Sequence, residues 1–187
     1  MEKINEKVLF GFIANILEKL SEKKRYYGTI VVQKIIYFLQ EAYSVRLPYN
    51  FYFYHFGPYD DSLDTHLRIM EAYGLIEIGR DPKGIGYDIE VKGNAKEYIK
   101  SAKDFIEKNK SEVESVLKYF GNYQPKHLEL AATIHFVFKN NKADKQTPKD
   151  AELKKVVIKK VQNLKPKFFK ELIEQEYDHL VGIGVLK

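Results

Sequence analysis

Residues Phe51-Tyr52-Phe53-Tyr54-His55-Phe56-Gly57-Pro58-Tyr59 place seven aromatic or histidine side chains in nine positions and break at Gly-Pro. No helical period accounts for such a run, whereas a β-strand closed by a turn does. Tyr52, Tyr54 and Phe56 alternate with Phe51, Phe53 and His55. That alternation predicts a strand buried on both faces, with the rings packed in a core rather than offered as a stacking platform.

The flanking pattern is helical. Ile4, Val8, Leu9, Phe12, Ile13, Ile16, Leu17 and Leu20 recur at helical spacing over 3–22, with Gly28 as a stop. Val32, Ile35, Ile36 and Leu39 predict a second helix over 29–44, ended by Leu47-Pro48. Asp60-Asp61-Ser62 offers N-caps for a third helix over 61–73, with Leu63, Leu67 and Met70 inward and Gly74 as its end. Ile76 and Ile78, then Tyr87, Ile89 and Val91, alternate with polar residues around a turn-rich Gly79–Gly84 segment, which predicts a β-hairpin. Helix–helix–strand–helix–hairpin is the order of a winged-helix-like domain, expected over 1–92. Beyond Gly93 the periodicity is helical to the end: 93–121 with a break near 110, then 125–138, a helix opened by Thr147-Pro148, and a last one from Pro166 to Gly182. The expected fold class is therefore α+β and mostly helical. A small antiparallel hairpin serves as the wing, and 93–187 form a helical C-terminal region.

Composition narrows the function. The chain has no Cys, so thiolate chemistry, disulfides and Cys-based metal sites are excluded. No apolar run approaches the ~20 residues of a membrane span, and no signal-peptide core opens the chain, so a cytoplasmic protein is expected. The net charge of +5 is uneven: residues 1–138 balance 19 cations with 19 acids, whereas 139–170 carry 11 Lys and three acids. No Gly-x-Ser-x-Gly elbow occurs, and Gly79, Gly84 and Gly86 lie in a hairpin where no phosphate loop belongs. Asp60, Asp61, Asp64, His66, His127 and His135 match no metal-ligand spacing. No catalytic residue, cofactor or metal is expected.

Val32-Gln33-Lys34-Ile35-Ile36-Tyr37-Phe38-Leu39-Gln40, Tyr54-His55-Phe56-Gly57-Pro58-Tyr59 and Met70-Glu71-Ala72-Tyr73-Gly74-Leu75-Ile76 resemble three landmarks of the YwgA-like family, across roughly residues 30–92. The Gln-Lys helix followed by a Gly-Pro turn also resembles, more distantly, the Panacea-domain antitoxins. The resemblance implies a winged-helix-like domain with a helical C-terminal part and no catalytic residues. The antitoxin likeness implies a protein partner, namely a toxin.

In a winged helix on DNA, the helix after the turn enters the major groove. Here it carries Asp60, Asp61, Asp64 and Glu71 against Arg68, which repels phosphates. The expected function is therefore a non-enzymatic regulatory module acting through protein contacts. Its surface would include Tyr59, Asp60, Asp61, Asp64 and Arg68. The alternative is a DNA-binding regulator using Arg80 and Lys83 of the wing with Lys154, Lys155, Lys159 and Lys160 of the lysine-rich segment. Homo-oligomerisation is left open by the sequence.

Overall fold

The computed structural model describes residues 4–23, 28–80, 87–142 and 150–187. Helices α1 (Glu6–Ser21) and α2 (Thr29–Glu41) come first, then strands β1 (Tyr52–Tyr54) and β2 (Gly57–Tyr59), and helix α3 (Asp61–Ala72). Strands β3 (Ile76–Arg80) and β4 (Tyr87–Val91) follow, with helices α4 (Ala95–Ser101), α5 (Lys103–Lys108) and α6 (Lys110–Phe120). Helices α7 (Pro125–Lys142), α8 (Asp150–Leu164) and α9 (Lys170–Gly182) complete the chain. The fold is α+β and mostly helical, with an antiparallel β3–β4 hairpin and a helical C-terminal region.

Two compact units emerge: 1–52 with 59–123, and 53–58 with 124–187. Helices α4–α6 belong to the first unit and complete its core. The backbones of α1 and α4 touch at Gly11, where a Cβ would sit 2.0 Å from the Tyr98 carbonyl oxygen. Phe12 meets Phe105 edge-on at 4.9 Å, and Phe38 of α2 stacks on Phe120 of α6 at 4.0 Å. Leu9, Ile13, Ile16 and Leu17 of α1, with Val32, Ile35, Ile36 and Leu39 of α2, fill the remaining interior. These are the apolar stripes expected of amphipathic helices.

Side-chain amides organise the connection between α2 and α3. Gln33 is buried; its Nε2 donates to the Asp60 carbonyl at 2.9 Å while the Asp60 N–H donates to Oε1 at 3.0 Å. Two turns later Gln40 repeats the arrangement on Tyr49, donating to its carbonyl at 2.8 Å and accepting its N–H at 3.1 Å. Each glutamine satisfies one residue of the loop strand as a neighbouring β-strand would. Asp60 then caps α3, its Oδ1 accepting the Leu63 N–H at 2.9 Å and its Oδ2 the Asn50 N–H at 2.6 Å. The far end of α3 closes on Gly74 at φ 67°, with Leu75 N–H donating to the Met70 carbonyl and Gly74 N–H to that of Glu71. β3 and β4 pair antiparallel with Ile76 opposite Val91 and Ile78 opposite Ile89; Ile76 and Ile89 are buried.

Several expectations are corrected. The aromatic strand is three residues long and turns back at once: Gly57-Pro58-Tyr59 forms β2, hydrogen-bonded to β1. A two-residue connection permits only an antiparallel hairpin. Its rings are not a two-faced core, because Tyr52, Tyr54 and Phe56 are 41%, 48% and 50% exposed. A hairpin this short has no second sheet layer to cover its outer face. Gly28 is the N-cap of α2. The helical stretch after Gly93 breaks at Ala102 as well as at Asn109, where the Asn109 side chain donates to the Phe105 carbonyl at 2.7 Å. Helix α7 runs on through Asn140-Asn141-Lys142. The last helix starts at Lys170 rather than near Pro166. The turn carrying Lys83, and the Thr147-Pro148 helix start, lie outside the described residues.

Replacing Gln33 by Met keeps the side-chain bulk and strands two buried backbone groups at about 1–3 kcal/mol each. Urea denaturation is expected to show a loss of about 3 kcal/mol for Gln33→Met; a loss below ~0.5 kcal/mol would show that the Asp60 backbone finds other partners.

Candidate functional site

In the first unit the sequence-predicted residues divide into support and surface. Asp60 is 3% exposed, and its carboxylate is committed to the Leu63 and Asn50 amides, so it supports the fold and presents nothing outward. Asp61 is exposed and accepts the Tyr52 hydroxyl at 3.0 Å; the Tyr52 ring meets the half-buried Tyr59 edge-on at 6.0 Å. Asp64 holds Arg68 one helical turn on at 2.9 Å. Exposed Glu71 accepts the Ile78 N–H at 2.9 Å. Tyr52, Tyr59, Asp61, Asp64 and Arg68 thus form an aromatic and acidic face along the start of α3.

Behind that face lies His66. Phe10 meets its ring edge-on at 5.4 Å, and the Tyr49 hydroxyl lies 3.2 Å from its Nδ1. Burial pulls its pKa below the ordinary value, against the opposing fields of Glu6 and Asp60. Burial also pushes the Tyr49 hydroxyl far above its usual range, with the Asp60 carboxylate adding to the effect. Both side chains are therefore neutral at pH 7, which suits a Tyr hydroxyl donating to an imidazole nitrogen.

In the second unit the outward lysines are partly engaged. Lys154 pairs with Asp178 at 2.6 Å, and Lys160 donates to the Asn141 side-chain carbonyl; Lys155 and Lys159 are exposed on α8. Arg80 of the first unit is exposed at the end of β3, opposite Tyr87. The lysines do not describe the whole charge pattern: residues 53–58 and 124–187 contain 13 Lys and eight acids, while the rest of the chain is balanced.

The structure adds a polar cluster to this unit. Glu129, 4% exposed on α7, has Lys165 Nζ at 2.7 Å on one oxygen and Lys167 Nζ at 2.8 Å on the other. Lys165, 6% exposed, also donates to the His55 carbonyl and lies 5.3 Å from the centre of the Phe53 ring, which packs on Phe136. The buried cation thus fastens the hairpin tip to α7. His127 Nε2 lies 2.6 Å from Glu176 Oε2 nearby on α7 and α9. No family model matches the chain, and no curated protein matches it. The cluster had one sequence signal. Leu128-Glu129-Leu130-Ala131-Ala132 sets a carboxylate in a helix that is buried almost all round, and such a charge needs a partner. The partner itself, 36 residues on, follows no local rule.

Among the described residues, no three His, Asp or Glu side chains converge as metal ligands. No described helix is long and apolar enough to cross a membrane.

Breaking a buried pair by removing one partner costs about 3–5 kcal/mol, whereas replacing both by apolar groups is often near neutral. Glu129→Leu is therefore expected to lose about 3–5 kcal/mol in urea denaturation, and adding Lys165→Met to restore only part of it, because the His55 carbonyl then loses its donor; no recovery in the double variant would refute mutual compensation. His66 supplies a pH test. Because its folded pKa is lowered, the unfolded chain binds the extra proton, so its contribution is full above the unfolded pKa of about 6.5 and is lost as pH falls from there towards the folded value. Melting temperatures should fall on acidification through this window, and His66→Gln should flatten that fall; an unchanged pH profile would exclude His66 as its source.

Proposed function

We propose that the chain is a non-enzymatic regulatory module acting through protein contacts, with the Tyr52–Asp61 face of the first unit as its contact surface. One observation carries this reading: Tyr52 is 41% exposed while its hydroxyl is tied to Asp61 and its ring to Tyr59. An exposed aromatic already held in one conformation loses little entropy on binding, and tyrosine is enriched among residues that dominate interface energetics. Asp61, Asp64 and Glu71 around Arg68 make the face anionic, so it suits a basic, partly apolar protein partner. The winged-helix-like reading of α1–β4, with β3–β4 as wing, and the likeness to YwgA-like and Panacea-domain sequences support an antitoxin-like role, with a toxin as partner.

The competing reading is a regulator that binds duplex DNA through Arg80, Lys83 and the α8 lysines. It has less support. The helix that would enter the major groove is acidic, and such a helix repels the phosphates it should read.

The test uses Asp61→Lys/Asp64→Lys, leaving Asp60 untouched because it caps α3. Proteins retained by the tagged wild type in its native cells would be identified and the best candidate purified. Calorimetry is expected to show at least about tenfold weaker binding for the double variant, as charge reversal at a docked face costs more than ~1.4 kcal/mol. Equal affinity, with an unchanged circular dichroism spectrum, would remove this face from the contact.

A further inference from the structure

We propose that the hairpin tip of the second unit is a binding platform for single-stranded nucleic acid, with bases stacking on Tyr54 and Phe56 and phosphates neutralised by Lys126 and Lys167. The proposal concerns the other unit and does not rest on the protein-contact reading.

Large aromatic rings half open to water on a two-residue turn are unusual unless something covers them. Tyr54 and Phe56 are 48% and 50% exposed, and His55 between them is exposed as well. The tip is nevertheless fixed, because buried Lys165 holds the His55 carbonyl from behind and Phe53 is packed on Phe136. A fixed ring is a better stacking partner than a mobile one, since less order is lost on binding.

Cations lie beside the tip. Lys167 Nζ lies 5.8 Å from the centre of the Phe56 ring and 5.3 Å from that of buried Phe168, and exposed Lys126 lies 5.6 Å from the same Phe168 ring. Glu129, the acid paired with Lys167, is buried and shared with Lys165. The unit as a whole carries the chain's net charge of +5. The ligand is therefore anionic and offers flat apolar faces. A duplex hides its base faces, whereas a single strand exposes them beside its phosphates. Residues 124–187 contain no Arg, so the bidentate fork that reads base edges is missing, and the platform suits a strand of any sequence.

Fluorescence anisotropy with a labelled oligothymidylate of roughly a dozen nucleotides, and with a duplex of the same length, tests the proposal on the full chain. The expected result is micromolar binding of the single strand that weakens with salt and exceeds duplex binding by about tenfold. Phe56→Ala and Tyr54→Ala should each weaken it by roughly five- to a hundredfold with an unchanged circular dichroism spectrum. Lys126→Gln should reduce the salt slope by about 0.7. No binding at low salt overturns the proposal. So does equal affinity for duplex and single strand with Phe56→Ala silent, which would mean lysines acting alone. Equally tight binding of a polyglutamate peptide that depends on the same rings would instead assign the tip to an acidic protein segment.

Discussion

A glutamine side chain stands in for a missing strand, and much of the first unit depends on it. The segment between α2 and α3 has no sheet neighbour at Tyr49 or Asp60, yet buried backbone groups must be paired. Gln40 and Gln33, two turns apart on one helix, each present a donor and an acceptor at the spacing of a peptide unit. Asp60 is thereby fixed in place, and its carboxylate can start α3 and close the Asn50 turn together. The direction of α3, and hence the orientation of Asp61 and Asp64, follows from two amides.

This explains which parts of the architecture could be read from sequence. Amphipathic helices, the N-cap at Asp60, the Gly74 stop and the alternating β3–β4 hairpin each follow from local chemistry, and they lie close to where periodicity places them. The exposed tip does not. An alternating aromatic run looks the same in a two-faced core strand and in a three-residue strand with an open side, since period 2 reports the pleat and not what covers it. Gln33 and Gln40 could be recognised as part of a pattern, but their role depends on partners nine and 27 residues away. The pairing of Glu129 with Lys165 likewise depends on a return of the chain that no local signal encodes. The acidic cluster shows the same limit: four neighbouring carboxylates read alike, although Asp60 is buried support and Asp61 is surface.

Charge is segregated along the chain. The first unit is neutral overall with an anionic helix face; the second holds the excess lysines and a cation–aromatic tip. The two surfaces differ in sign, so the two proposed contacts call for partners of opposite charge.

The contact at Gly11 has a consequence for how the chain acquires its structure. The α1–α4 packing joins residues such as Lys7 and Glu97 that are 90 positions apart. During synthesis at roughly 5–20 residues per second, α1 emerges about 5–20 s before the helix that covers it. Through that interval the part of its apolar stripe that α4 and α5 cover has no native partner, and closing so long a loop slows folding. A truncation ahead of α4 would therefore bare the side of α1 that Tyr98, Ala102 and Phe105 cover, and leave that helix prone to aggregation.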